Sequence, residues 1–280
     1  MSETGFRYFP APAKLNLMLH ITGRREDGFH LLQTVFQFLD YSDEIGFRLR
    51  VDGQVNRVTD IPGLSAEDDL MVKAAKLFAG YIDYFPGIDI DIRKKIPMGG
   101  GLGGGSSDAA TVLLVLNSFF GKPLSVDKLA EAGLQLGADV PVFVRGHACW
   151  AEGVGEKIQP VKLSEPWFLV LDPGVHVSTA EVFSHSDLTR SSPLTTIAAF
   201  LEGAGRNDCV PVVQKQYPEI AAAMQWLDKY SPAKLTGTGA CVFAEFATQQ
   251  QAQKVFEQMP KKYQGFIARG LNRSPLLDLV

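Results

Sequence analysis

Cysteine is scarce in this 280-residue chain: Cys149, Cys209 and Cys241 are three, an odd number, and stand far apart. That excludes a disulfide framework and offers no metal-ligand spacing, so a reducing, cytoplasmic setting is expected and three small buried residues are the plain reading. The five histidines, His20, His30, His147, His176 and His185, form no H-E-x-x-H or similar cluster, so no side-chain metal site is expected. Positive charge is not in excess, with 27 Lys and Arg against 31 Asp and Glu. A nucleic-acid partner is therefore not expected. No apolar run reaches the roughly 18 residues of a membrane span. Met1-Ser2-Glu3-Thr4 carries no signal pattern either, so no membrane partner is expected. At 46% hydrophobic and 21% charged, the chain has the balance of a soluble protein with ample core.

Glycine, by contrast, is concentrated. Six of the seven residues from Gly99 to Gly105 are glycine, broken only by Leu102. Before the run, Ile88, Ile90 and Ile92 alternate with Asp89, Asp91 and Arg93, a strand pattern. After it, Ala109 to Leu116 reads as a buried helix. Strand, glycine loop and helix start together bind phosphate, because backbone amides approach the anion unhindered and the helix end adds unpaired N–H groups. A flexible linker is the bland alternative, disfavoured by the tight ordered flanks. A dinucleotide fold would need an acidic residue ending the next strand, but Asp127 and Glu131 fall in the helical stretch 125–136. A Walker loop would need a lysine before Ser106 or Ser107, and there is none.

Along the rest of the chain, residues 14 to 21 alternate, so that Lys14 and Asn16 project together from one strand. Helices are expected over 69–78, 108–120, 125–136, 218–230 and 248–259, and strands over 167–172, 241–246 and 265–270. A strand is also expected within Ala138 to Trp150, with Asp139 in extended backbone ahead of Val140-Pro141. Glu152 to Lys157 reads as a boundary. Alternating strands and helices on both sides give two α/β domains, residues 1–155 and 156–280. Arg93-Lys94-Lys95 reads as a solvated strand end that leaves nucleotide contact open.

Pro97-Met98-Gly99-Gly100-Gly101-Leu102-Gly103-Gly104-Gly105-Ser106-Ser107-Asp108-Ala109-Ala110 resembles the second motif of the GHMP kinases, which include galactokinase, homoserine kinase and mevalonate kinase. Three further stretches resemble that family in the right order: Pro12 to Leu17 running to Gly28-Phe29-His30, then Leu136 to Phe143, then Leu235-Thr236-Gly237-Thr238-Gly239-Ala240-Cys241. The resemblance is strongest to the member whose substrate is a cytidyl diphosphate sugar alcohol. It implies a two-domain α/β (α+β) fold: an N-terminal nucleotide-binding domain and a C-terminal ferredoxin-like domain. It also implies ATP, with Mg²⁺ held mainly by the triphosphate, and a monomer or homodimer. One departure is Phe29, where the family usually carries Tyr.

The resemblance assigns ATP binding to Pro97, Met98, Gly99, Gly100, Gly101, Leu102, Gly103, Gly104, Gly105, Ser106 and Ser107. Read from the residues alone, Ser106 and Ser107 are equally N-cap candidates. Asp139 is implied as the base that takes the hydroxyl proton and Lys14 as its charged partner. A turn aspartate and a strand-end lysine are the plain alternatives. Asn16, Asp139, Gly237, Thr238 and Gly239 are implied to face the substrate, and Phe29, His30 and Phe183 its cytosine ring. A core aromatic is the alternative for Phe183. Other readings are a GHMP kinase for another alcohol, a dinucleotide-dependent oxidoreductase, and a nucleotide-binding regulator without catalysis.

Overall fold

The computed structural model describes residues 5–280. Two long antiparallel strands, β1 (Arg7–Arg24) and β2 (His30–Leu49), form its spine. β1 occupies one edge of β2 along nearly its whole length. The other edge of β2 is shared by β4 (Ile88–Arg93), with short parallel β3 (Val55–Arg57) beyond it, and by the hairpin of β5 (Cys149–Gly153) and β6 (Lys157–Pro160). The stretch Glu152 to Lys157 is the turn of that hairpin. Helices α1 (Leu70–Ala79), α2 (Gly104–Phe119), α3 (Val126–Leu134) and α4 (Val140–Arg145) belong to this half. Their apolar residues pack on Phe9, Ala11, Phe36, Phe38, Ile45 and Phe47.

Residues beyond 166 build a second unit. Strand β7 (Trp167–Asp172) is followed by α5 (Thr179–Ser184), α6 (Ile197–Leu201), α7 (Val210–Gln216) and α8 (Pro218–Leu227), then β8 (Lys234–Leu235), β9 (Val242–Phe246), α9 (Gln249–Phe256) and β10 (Gln264–Leu271). The spatial order β10-β7-β9-β8, antiparallel throughout, is the ferredoxin-like split β-α-β arrangement. Its sheet joins the first through Gly270↔Leu39 and Leu271↔Phe38. The two-domain α/β expectation is therefore met.

Strand β1 contributes to both cores. Phe9 and Ala11 belong to the first, and Leu19 and Ile21 to the second. The bulge at 16/18, where β1 carries one residue more than β2, lets one strand serve both, since the inserted residue exchanges the faces between Ala11 and Leu19. A short 3₁₀ turn, Pro275–Asp278, returns to the first unit and buries Leu276 there.

Three expectations are corrected. Helix α2 starts at Gly104, inside the glycine run, and its N-cap is Gly103 with φ +73°. Neither serine caps it. Residues 140–145 form a helix, not a strand, and Asp139 sits at its N-cap with αR backbone. Pro141 fits there because the first helical N–H groups have no partner within the helix to lose. Lys94 is not a solvated strand end: its Nζ lies between Asp43 Oδ2 at 2.5 Å and Asp108 Oδ2 at 2.8 Å.

Candidate active site

A cleft of about 590 Å³ opens between the two units. Gly99 to Ser106 line it, together with Lys14, Asn16, Asp139, Thr179, Phe183, Gly237 and Thr238. Stretches more than 200 residues apart in sequence therefore meet at one place.

The glycine loop is held from both units. Gly99, Gly101 and Gly103 all have φ near +70°. A Cβ on Gly101 would collide with the carbonyl oxygen of Thr236. The loop carbonyls accept bonds from the opposite unit: Gly99 O from the Ala240 amide at 3.3 Å, Gly100 O from the Cys241 amide at 3.1 Å, and Gly101 O from the Thr236 hydroxyl at 2.9 Å. Its carbonyls thus face the second unit, while the amides of Gly104, Gly105 and Ser106, at the start of α2, have no partner within the helix. Unpaired amides at a helix start form an anion seat. The Ser107 amide already donates to Gly103 O at 2.9 Å, and its hydroxyl is buried with no partner among the described residues. Of the two serines, only Ser106 lines the cleft.

Lys14 enters from β1 and is 3% exposed. Its Nζ donates to Asn16 Oδ1 at 2.6 Å and to Gly101 O at 3.1 Å, and pairs with Asp139 Oδ2 at 3.2 Å. Two of the ammonium's three donors are thus engaged by fixed acceptors, and the charge is paired with Asp139. The strand alternation that puts Lys14 and Asn16 on one face makes this possible. Asn16 is held in turn: its side-chain amide donates to the Thr34 hydroxyl at 2.8 Å, which donates to Met18 O at 2.6 Å. The Asn16 backbone amide donates to the Thr236 hydroxyl at 3.1 Å. Thr34 and Thr236 have no sequence signal of this role. Thr238, whose hydroxyl lies 2.9 Å from that of Thr179, is likewise joined to a residue that spacing does not mark.

His30 does not itself line the cleft, but it stacks on Phe183, which does, with ring centroids 5.0 Å apart and planes at 26°. Phe29 lies in the turn before β2 and is 63% exposed. Gly239 lies behind Gly237 and Thr238, off the lining surface. Burial holds the His30 imidazole below its ordinary pKa, helped by the guanidinium groups of Arg190 and Arg24. Beside the loop, Asp108 shares Lys94 with Asp43, and burial raises its pKa to about 8.

The assembled groups are a phosphate seat, a carboxylate with a fixed ammonium, and an aromatic–imidazole pair, in one cleft. Among the described residues no three His, Cys, Asp or Glu side chains gather as a metal cage.

Residues 69–147 match the family described as GHMP kinases N terminal domain, and residues 190–265 match GHMP kinases C terminal. A Nitrosococcus oceani protein named 4-diphosphocytidyl-2-C-methyl-D-erythritol kinase is 53% identical over 270 residues, covering 96% of this chain and 96% of its own. The protein of that name from Ectopseudomonas mendocina is 55% identical, over 95% of this chain and 92% of its own. A crystal structure of 4-(cytidine 5'-diphospho)-2C-methyl-D-erythritol kinase superposes with TM-score 0.84 at 28% identity, covering 94% of this chain and 99% of that one. The mevalonate kinase of Methanococcus jannaschii superposes with TM-score 0.69 at 16% identity, over 97% of this chain and 100% of its own, and shares the fold.

Proposed function

The chain belongs to the GHMP kinase family, and we propose that it transfers the γ-phosphoryl group of ATP to the 2-hydroxyl of 4-diphosphocytidyl-2-C-methyl-D-erythritol. The products are the 2-phosphate and ADP, and the reaction belongs to non-mevalonate isoprenoid precursor synthesis in the cytoplasm. The observation that carries this reading is the Lys14–Asp139 pair, 3.2 Å apart, beside the glycine seat.

The triphosphate lies along Gly99 to Ser106, against the free amides at the start of α2. The two units divide the work: the first holds ATP and brings Lys14, Asn16 and Asp139 to the acceptor hydroxyl, and the second closes the acceptor side with Phe183, Gly237 and Thr238. Asp139 takes the proton of the acceptor hydroxyl as its oxygen bonds to the γ-phosphorus, and the bond from that phosphorus to the ADP oxygen breaks. Lys14 holds Asp139 in an ion pair and offers positive charge to the transferring group. Asn16, Gly237 and Thr238 shape the pocket around the alcohol, with Gly239 supporting them from behind. Phe29, His30 and Phe183 hold the cytosine ring, and Phe29 supplies a stacking face without a phenol hydroxyl.

Mg²⁺ fits this site as a companion of the triphosphate. Four aspartates line the cleft, but Asp69 is paired with Arg57 and Asp108 with Lys94, and among the described residues no three His, Cys, Asp or Glu side chains form a cage beside Asp139 and Ser106. Such a donor set suits an ion that keeps most of its contacts to phosphate and water. When bound, it neutralises phosphate charge.

ADP release with and without the cytidyl substrate tests the proposal. Release that requires that substrate supports it. Release driven by mevalonate or homoserine instead, with none from the cytidyl alcohol, refutes it.

A further inference from the structure

Arg190 is absent from every motif, yet it joins the two pieces of the nucleobase site. Its Nε lies 3.3 Å from His30 Nε2. Its terminal nitrogens donate to Phe183 O at 3.0 Å, His185 O at 2.7 Å and Leu188 O at 3.2 Å. One planar group thus ties the start of β2 to the end of α5. The backbone around it is fixed too, because the Ser192 amide donates to Ile21 O at 2.9 Å and Asp208 Oδ2 accepts from the Ile21 amide at 2.7 Å.

A guanidinium only donates. The nitrogen of His30 that faces it must therefore be an acceptor, and the ring proton must sit on Nδ1. We propose that Arg190 is a positioning residue for the nucleobase: it sets His30 in the neutral Nδ1–H form, stacked on Phe183, with that N–H left as a donor for the ligand. The inference rests on the reading above that His30 and Phe183 receive the cytosine ring. The charged groups bearing on the His30 ring are Arg190 and Arg24 of β1, and both disfavour its protonation.

The test follows the His30 ring directly, by nitrogen NMR on protein labelled at histidine, in the wild type and in Arg190→Met. The wild type is expected to show the Nδ1–H form and a titration below that of an ordinary histidine. In Arg190→Met the titration should move up and the two tautomers should mix. In steady-state kinetics the same variant should raise the KM for the cytidyl substrate about tenfold or more, with kcat and the KM for ATP nearly unchanged. Arg190→Lys should not restore it, because an ammonium lacks the planar fork. A wild-type His30 in the Nε2–H form, or His30 signals unmoved by the substitution, would overturn the proposal. So would an equal loss in kcat and both KM values, which marks a general structural role. If the His30 signals move as expected while the cytidyl KM stays constant, Arg190 controls His30 as proposed and the assignment of His30 to the nucleobase fails.

Discussion

Lys14 Nζ and Asp139 Oδ2 stand 3.2 Å apart, and their side chains differ sharply in exposure, at 4% and 35%. The ammonium is sealed in and held by Asn16 and Gly101, so it is a fixed charge. The carboxylate is the member open to the cleft, so it is the one that can meet a hydroxyl. Base and electrostatic partner are thereby sorted by burial.

Asp139→Asn keeps the size and removes the base. Turnover should fall by about 10²–10⁴, the usual worth of a positioned general base. ATP affinity, measured by calorimetry, should hold, because the loop amides are untouched. The fold should hold as well, since Lys14 retains Asn16 Oδ1 and Gly101 O as acceptors. Turnover close to wild type in the folded variant would remove Asp139 from the role.

Gly103→Val strikes the loop where φ is +73° and where a Cβ would lie 2.7 Å from the Phe143 ring and 2.9 Å from Lys14 Cε. ATP binding should weaken much more than cytidyl binding. Turnover should fall further still, because the new side chain presses on Lys14. Unchanged ATP affinity by calorimetry would contradict the phosphate seat at this residue.

Phe183→Ala should raise the KM for the cytidyl substrate and leave that for ATP alone. Loss of one stacking face is worth about 1–3 kcal/mol by analogy with base–aromatic stacking. Phe183 is only partly buried against the second core, so its melting loss should fall below the roughly 3–5 kcal/mol of a fully buried Phe. A large melting drop with unaltered cytidyl kinetics would make it a core residue instead. Phe29→Tyr should be mild, since the ring is kept.

His20 is a stability reporter. It is buried, its Nε2 accepts from the Arg206 amide at 3.2 Å, and its Nδ1 has no partner among the described residues. Burial lowers its pKa, with Arg206 adding to the effect and Asp208 opposing it. A depressed folded value means the unfolded chain takes up the proton first. The stabilisation is therefore present above the ordinary histidine value and is lost as pH falls through the folded one. Melting temperature should drop as pH falls below the ordinary histidine value of about 6.5, and His20→Gln should flatten that drop while keeping the acceptor. Equal slopes in both proteins would show that His20 titrates normally.

The parts of the site legible in the sequence are local ones. The glycine run between a strand and a helix, and the i, i+2 spacing of Lys14 and Asn16, each state their own geometry. The helix at 140–145 was not legible, because Val140-Pro141-Val142-Phe143-Val144 is rich in β-branched residues and reads as a strand until Pro141 is seen at a helix start. The cap of α2 was misread because glycine in a left-handed conformation takes the place where serine is favoured. Thr34 and Arg190, and the role of Thr236 within its glycine motif, are not legible because their partners lie 18, 160 and 220 residues away. No spacing rule spans such separations.

The return of the Pro275–Asp278 turn to the first unit bears on how the chain is made. Leu276 completes a core whose other members include Phe9 and Ala11, and the Ser274 amide donates to Gly146 O at 2.9 Å. A ribosome adds about 5–20 residues per second, so the whole second unit is made between these partners. The apolar surface that Leu276 covers therefore stays open until the second unit has been made, and a chain stopped short of Leu276 leaves that part of the first core uncovered.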